Sequence, residues 1–166
     1  MSAAGPFVLL LPTLEEGESR RQLIGSSGDF ELDSPSNSWV GPIVLDAVIY
    51  RHGPKIEVRG EFRALVDLEC NLCLRPVRAP IRAEVRIFSE RRESRDRRPT
   101  EEVREDDVGI VYHDGRSIDL TEEVRQGLLL EAPWRVRCRE ACSGLCPRCG
   151  VDRNDEECRC EVAATE

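Results

Sequence analysis

Six of the eight cysteines of this 166-residue chain fall between positions 138 and 160, in the run CREACSGLCPRCGVDRNDEECRC. Cys146-Pro-Arg-Cys149-Gly150 has the outline of a metal knuckle. Two sulfurs two residues apart can face one ion, and the following glycine lets the backbone turn back with positive φ. Cys158 and Cys160 supply two more sulfurs and complete a four-thiolate set. The remaining pair, Cys70 and Cys73 in CNLC, is grouped with Cys138 and Cys142 in a second set. Four thiolates around a tetrahedral Zn²⁺ leave no open coordination position, so either site would be structural rather than catalytic. The expected cofactor is zinc, one or two ions, with an iron–sulfur cluster as the alternative metal reading. Three other fates are weighed. Cys70 could be a small buried hydrophobe. Disulfides are disfavoured in a reducing compartment. A dithiol redox role for Cys70 and Cys73 lacks the surrounding βαβ pattern such chemistry uses.

Bulk properties limit the rest. Hydrophobic residues make up 40% of the chain, enough for a modest core. There is no apolar run of 18 residues, so no membrane span is expected. The short apolar run at residues 7–11 lacks a basic leader and does not read as a signal peptide. A cytoplasmic protein is the expectation. The net charge is −8, and each four-thiolate zinc site would add a further −2. This opposes general attraction to nucleic acid, so any RNA contact needs a local basic surface. Arg135, Arg137, Arg148 and Arg153 are the candidates for one, interleaved with the thiols. Glu140, Asp152, Asp155, Glu156, Glu157 and Glu161 in the same stretch offset them. No phosphate loop, nucleophile elbow or paired catalytic carboxylate is present, and His52 and His113 stand beside no partner for catalysis. The expectation is a protein that is not an enzyme and has no small-molecule substrate.

The elements that must hold the thiols follow from hydrophobic periodicity. Residues 7–11 predict a short buried strand ending at Pro12. Residues 15–28 are polar and read as loop apart from Leu23 and Ile24, and residues 34–38 as a linker. Ile43, Leu45, Ala47 and Ile49 alternate, and the opposite face is apolar enough for a central strand. A turn at His52-Gly53-Pro54 leads to a second strand, with Ile56, Val58, Phe62, Ala64, Val66, Leu68 and Cys70 on one face. Gly60 reads as a bulge in it. A third strand carries Val77, Ala79, Ile81, Ala83, Val85 and Ile87 inward, with Pro80 marking a sheet edge. Cys70 and Cys73 therefore sit at a hairpin tip. Residues 89–107 read as a charged solvated loop, whose Arg91, Arg92, Arg95, Arg97 and Arg98 are balanced by acids. A strand at residues 109–113 and a hairpin turn at Asp114-Gly115 follow. A helix is then predicted, with Asp119 as N-cap, Glu122 in the capping box, a Leu120, Val124, Leu128 stripe, and a stop before Pro133. Gly127 weakens it by about 1 kcal/mol relative to alanine.

The fold class expected is α+β: an antiparallel sheet or partly open barrel, one main helix, and a C-terminal cysteine-rich zinc module. The domains expected are a β-rich unit at residues 1–132 and a metal-binding module packed on it at residues 133–166.

Several of these features together resemble the bacterial and plastid family of the large ribosomal RNA subunit accumulation protein YceD. They are Gly60 in VRGEF, Cys70-x-x-Cys73-Leu74, Ile118-Asp119-Leu120, Leu130-Glu-Ala-Pro133, Cys138-x-x-x-Cys142-x-Gly144-Leu-Cys-Pro-x-Cys-Gly150, Asn154 and Cys158-x-Cys160. The resemblance implies a non-enzymatic factor that promotes accumulation or maturation of 23S ribosomal RNA in large-subunit biogenesis. Its partners would be ribosomal RNA or early assembly intermediates. Leu72 departs from the pattern, since the family's first pair often carries arginine there. Some members lack most of the C-terminal cysteines, which implies that metal there is not essential to the shared function. The alternative is a zinc-ribbon adaptor that binds a protein such as a ribonuclease or polymerase.

Overall fold

A computed structural model describes residues 5–32, 37–91 and 110–160. Its centre is a five-stranded sheet in the order β2-β3-β4-β5-β6, formed by Gly17–Gly25, Ser38–His52, Lys55–Glu69, Pro76–Arg91 and Ile110–His113. A two-stranded ribbon pairs β1 (Val8–Leu10) with β7 (Ser117–Asp119), and α1 spans Thr121–Glu131. Both sheets are open, so the barrel alternative does not form. Nor is the main sheet wholly antiparallel, because β6 runs parallel to β5 from Phe88↔Ile110 to Arg91↔His113.

The period-2 pattern is what builds the core. Ile43, Leu45, Ala47 and Ile49 of β3 point to the same side as Ile56, Val58, Phe62, Ala64, Val66 and Leu68 of β4, and all are buried. The odd positions of β5 join them, with Ile81 and Ile87 buried. The cap residue Leu120, with Val124 and Leu128 of α1, closes this face, and all three are fully shielded from solvent. The N-terminal segment adds Phe7 and Phe30, whose rings meet edge to face at 4.6 Å. As expected, β3 is an interior strand, flanked by β2 and β4. Pro80 also fits its expectation: among the described residues β6 covers β5 only along Phe88–Arg91, which leaves Pro80 on an open edge.

Several expectations are corrected. The polar stretch at residues 15–28 is not loop. It holds β2 and a 3-10 turn at Ser27–Phe30, because pairing with β3 satisfies its backbone while both faces stay largely wet. An edge strand of that kind has no apolar alternation to announce it. Gly60 is not a bulge, since pairing runs unbroken through Ala47↔Gly60 and the register shift lies between Val40 and Val44. Glycine is needed at 60 because a Cβ there would come within 2.4 Å of the Asp46 carbonyl oxygen. The charged segment begins later than expected: Ser89, Glu90 and Arg91 belong to β5, and the buried Ser89 hydroxyl donates to the Val111 carbonyl at 2.6 Å. The rest of that segment lies outside the described residues, as does most of the linker at 34–38. The turn at Asp114-Gly115 joins strands of different sheets and is not a hairpin. Asp119 is one residue before the helix cap, where its carboxylate accepts from the Thr121 N–H at 2.9 Å, and Glu122 instead accepts from Gln126.

Candidate metal centres

The long β4–β5 hairpin ends in a six-residue loop, Cys70 to Arg75, and two main-chain bonds define its shape. The Leu74 N–H donates to the Cys70 carbonyl at 2.9 Å, and the Cys70 N–H to the Arg75 carbonyl at 2.8 Å. The C-terminal knuckle repeats the first of these, with the Gly150 N–H donating to the Cys146 carbonyl at 2.8 Å. In both, the residue after the second cysteine is left-handed: Gly150 at φ 76° and Leu74 at φ 61°. Leucine there is strained, a cost of about 1–2 kcal/mol that glycine avoids. Two segments unrelated in neighbouring sequence thus fold into the same knuckle.

The eight sulfurs gather as the spacing predicted. Those of Cys70, Cys73, Cys138 and Cys142 lie within 4.8 Å of one another, and so do those of Cys146, Cys149, Cys158 and Cys160. The closer pairs are Cys73–Cys138 at 3.5 Å and Cys70–Cys142 at 3.9 Å in the first cluster. In the second they are Cys146–Cys158 at 3.3 Å and Cys149–Cys158 at 3.7 Å. Sulfurs at about 2.3 Å from a tetrahedral ion stand roughly 3.8 Å apart, whereas a disulfide needs about 2.05 Å. All eight cysteines are free. Both sets therefore fit a four-coordinate ion in donor type, number and spacing.

Electrostatics point the same way. Burial pushes the Cys70 thiol up, but the N–H groups of Leu72, Cys138 and Cys73 outweigh it and hold the thiol down at about 6. The Cys149 and Arg148 N–H groups hold Cys146 down at about 6. Their neighbours move oppositely. The Arg75 N–H would lower Cys73, yet burial and the sulfurs of Cys138, Cys70 and Cys142 push it up to about 12. Cys149 and Cys158 push Cys160 up to about 12. Four thiolates this close cannot all ionise without a cation among them.

The clusters are tied to each other and to the sheet by residues that the cysteine spacing did not reveal. Asn71, between the hairpin cysteines, accepts from the Val136 N–H through Oδ1 and donates to the Trp134 carbonyl at 3.5 Å. Its own N–H donates to the Val136 carbonyl at 2.9 Å. The Leu72 carbonyl accepts from the Leu145 N–H at 2.8 Å, and a Cβ on Gly144 would meet that same carbonyl at 2.8 Å. Arg75 pairs with Asp152, at 2.6 Å, and with Asp155. Asn154 links the clusters: its Nδ2 donates to the Cys142 sulfur at 3.5 Å, while Oδ1 accepts from the Ser143 N–H and from Arg139. Polar residues in and just after the first CxxC were the available signal, but the partners of Asn71 and Arg75 lie some 65 to 80 residues away.

The four candidate arginines are all exposed. Arg135 stacks on the Trp134 ring at 4.4 Å.

The description "Large ribosomal RNA subunit accumulation protein YceD" matches residues 58–166. The chain belongs to the YceD family. The matched span begins inside β4 and takes in all eight cysteines, so both clusters lie within the family's shared region. Similar proteins include an uncharacterized protein of Mycobacterium tuberculosis strain H37Rv, 37% identical over 108 residues, which is 64% of this chain and 49% of the relative. An uncharacterized protein of Mycobacterium leprae is 32% identical over 113 residues, 68% of this chain and 50% of the relative. The chain thus spans about half the length of the curated relatives it matches. No solved structure matches. Among the described residues, no helix is long and apolar enough to cross a membrane.

Proposed function

We propose that this chain is a cytoplasmic, non-enzymatic factor that promotes accumulation and maturation of 23S ribosomal RNA during large-subunit assembly. Its two cysteine clusters each hold a structural zinc ion. The observation that carries the reading is the family match over residues 58–166, which gives a ribosome-related role at family level. The closed four-sulfur geometry supports a scaffold rather than a reaction centre, because a saturated ion offers no position to substrate. Zinc is favoured over an iron–sulfur cluster because both cysteine pairs adopt the knuckle turn. Depleting the protein in cells lowers the ratio of 23S to 16S ribosomal RNA; an unchanged ratio refutes the reading. Elemental analysis of protein purified without chelator gives about two zinc ions per chain, and visible colour would indicate iron instead.

A second reading, a zinc-ribbon adaptor for a protein partner, is supported by the net charge of −8. In-cell crosslinking separates the two: ribosomal RNA joined to the chain favours the first, protein alone the second.

A further inference from the structure

A cleft of about 450 Å³ opens where the sheet, the helix and the cysteine-rich segment meet. Its walls are Leu129 and Pro133 at the end of α1, Asn71 and Leu74 of the hairpin loop, and Trp134 with Val136. Trp134 is 79% exposed, whereas the chain's other tryptophan, Trp39, is buried. An indole left in water on a globular surface is costly, and here the main chain that carries it is tied down. Asn71 bonds to the Trp134 carbonyl and, through two further bonds, to Val136, so the main chain on either side of the indole's neighbour is fixed.

The one charged residue lining the cleft is Glu69, and the exposed Arg135 and Arg137 follow Trp134 in the chain. Arg135 lies over one face of the indole at 4.4 Å. Neither Arg135 nor Arg137 enters an ion pair among the described residues. By contrast, Arg75 is held by Asp152 and Asp155, and Arg139 by Asn154. An exposed indole beside guanidinium groups outside any ion pair and an open cleft is an arrangement that can stack an unpaired base while meeting its phosphates. A peptide would use the apolar wall but would leave the two cations without a purpose unless it were acidic.

We infer that Trp134, with Arg135 on one face of its ring and Arg137 three residues along the chain, is a stacking site for an unpaired nucleotide of single-stranded RNA at the mouth of this cleft. The inference rests on the ribosomal RNA reading and names the form of RNA and the contact. The indole face away from Arg135 takes the base, and the guanidinium groups take the flanking phosphates. Duplex RNA, whose bases are already stacked, is bound more weakly.

The test uses the full zinc-loaded chain and a fluorophore-labelled single-stranded RNA oligonucleotide, read by anisotropy at fixed salt. Trp134→Ala weakens binding by roughly 5- to 150-fold, the loss expected on removing one stacked base, and Trp134→Phe retains most of it. In a Trp39→Phe variant, which leaves Trp134 as the sole tryptophan, the oligonucleotide quenches emission saturably. Equal affinity of wild type and Trp134→Ala overturns the inference. So does the absence of RNA binding, or a photo-crosslinker at position 130 that captures only protein in cells. Complementation keeps the two readings apart. If Trp134→Ala restores the 23S to 16S ratio as wild type does, the stacking site falls and the family-level role stands. If depletion never alters the ratio, it is the role that falls.

Discussion

Removing the metal should release the segment at residues 133–160 while the sheet stays folded. In that segment the buried apolar side chains are Val136 and the thiol-bearing Cys146. Fully burying a valine is worth about 1.5–3 kcal/mol. A structural zinc site is worth about 10–16 kcal/mol at neutral pH, so the ions outweigh apolar packing several-fold. The sheet has no such dependence, because the core cluster that contains Ile43, Leu45, Val58, Phe62, Val124 and Leu128 includes no cysteine. The assay is amide hydrogen exchange on reduced protein with and without chelator. The amides to watch are Leu145 (bonded to Leu72), Gly150 (to Cys146) and Arg153 (to Gly144). Their exchange should speed by about a hundredfold or more on metal removal, a loss of some 3 kcal/mol or greater in local stability. Amides in the middle of β4, paired with β3 and β5, should change little. If the three amides stay protected in metal-free, fully reduced protein, the claim that metal organises this segment is refuted.

Three further outcomes follow from the geometry. Asn71→Ala should destabilise the junction by about 1–3 kcal/mol, because it leaves the Val136 N–H without its acceptor; thermal unfolding of the zinc-loaded protein measures it. Gly127→Ala should also destabilise, by about 1–2 kcal/mol, despite improving helix propensity. The new Cβ would stand 2.8 Å from the ring of buried Phe62, and overpacking outweighs the gain of about 1 kcal/mol; denaturant midpoints decide it. Zinc uptake at pH 7 should release protons, since Cys73 and Cys160, both pushed up to about 12, are still thiols there. Metal lowers each ligand's proton affinity below that of an unfolded thiol near 8.5, so the stabilisation is full above that pH and is lost as the pH falls. Weakly buffered titration with an indicator dye should show fewer protons released as the starting pH is raised, and zinc affinity that weakens on acidification.

How much of this was legible beforehand depends on where each signal was written. The grouping of the cysteines was readable because CxxC spacing encodes its own local geometry. β4 and β5 were readable because one face of each is buried and the other wet. β2 was not, since an edge strand with two solvated faces takes its order from pairing with β3, which no local pattern reports. Gly60 and Gly127 show the same limit: locally the first reads as a bulge and the second as a weak point in the helix, yet each is glycine because Asp46 or Phe62 approaches across the fold. Asn71 and Arg75 were silent because their partners lie in a distant stretch of chain.

The first cluster joins Cys70 and Cys73 to Cys138 and Cys142 across more than sixty intervening residues, whereas the second closes within a short span. Closing a long loop carries more entropy than closing a short one, and a chain made from its N-terminus exposes Cys70 well before Cys138 exists. During synthesis the hairpin pair must therefore wait for its two partner thiols until the chain beyond the helix has been made. The later, self-contained knuckle can capture its ion almost as soon as it emerges. On the proposed metal reading, filling of the first site would report that the hairpin and the stretch around Cys138 and Cys142 have both been made and have met.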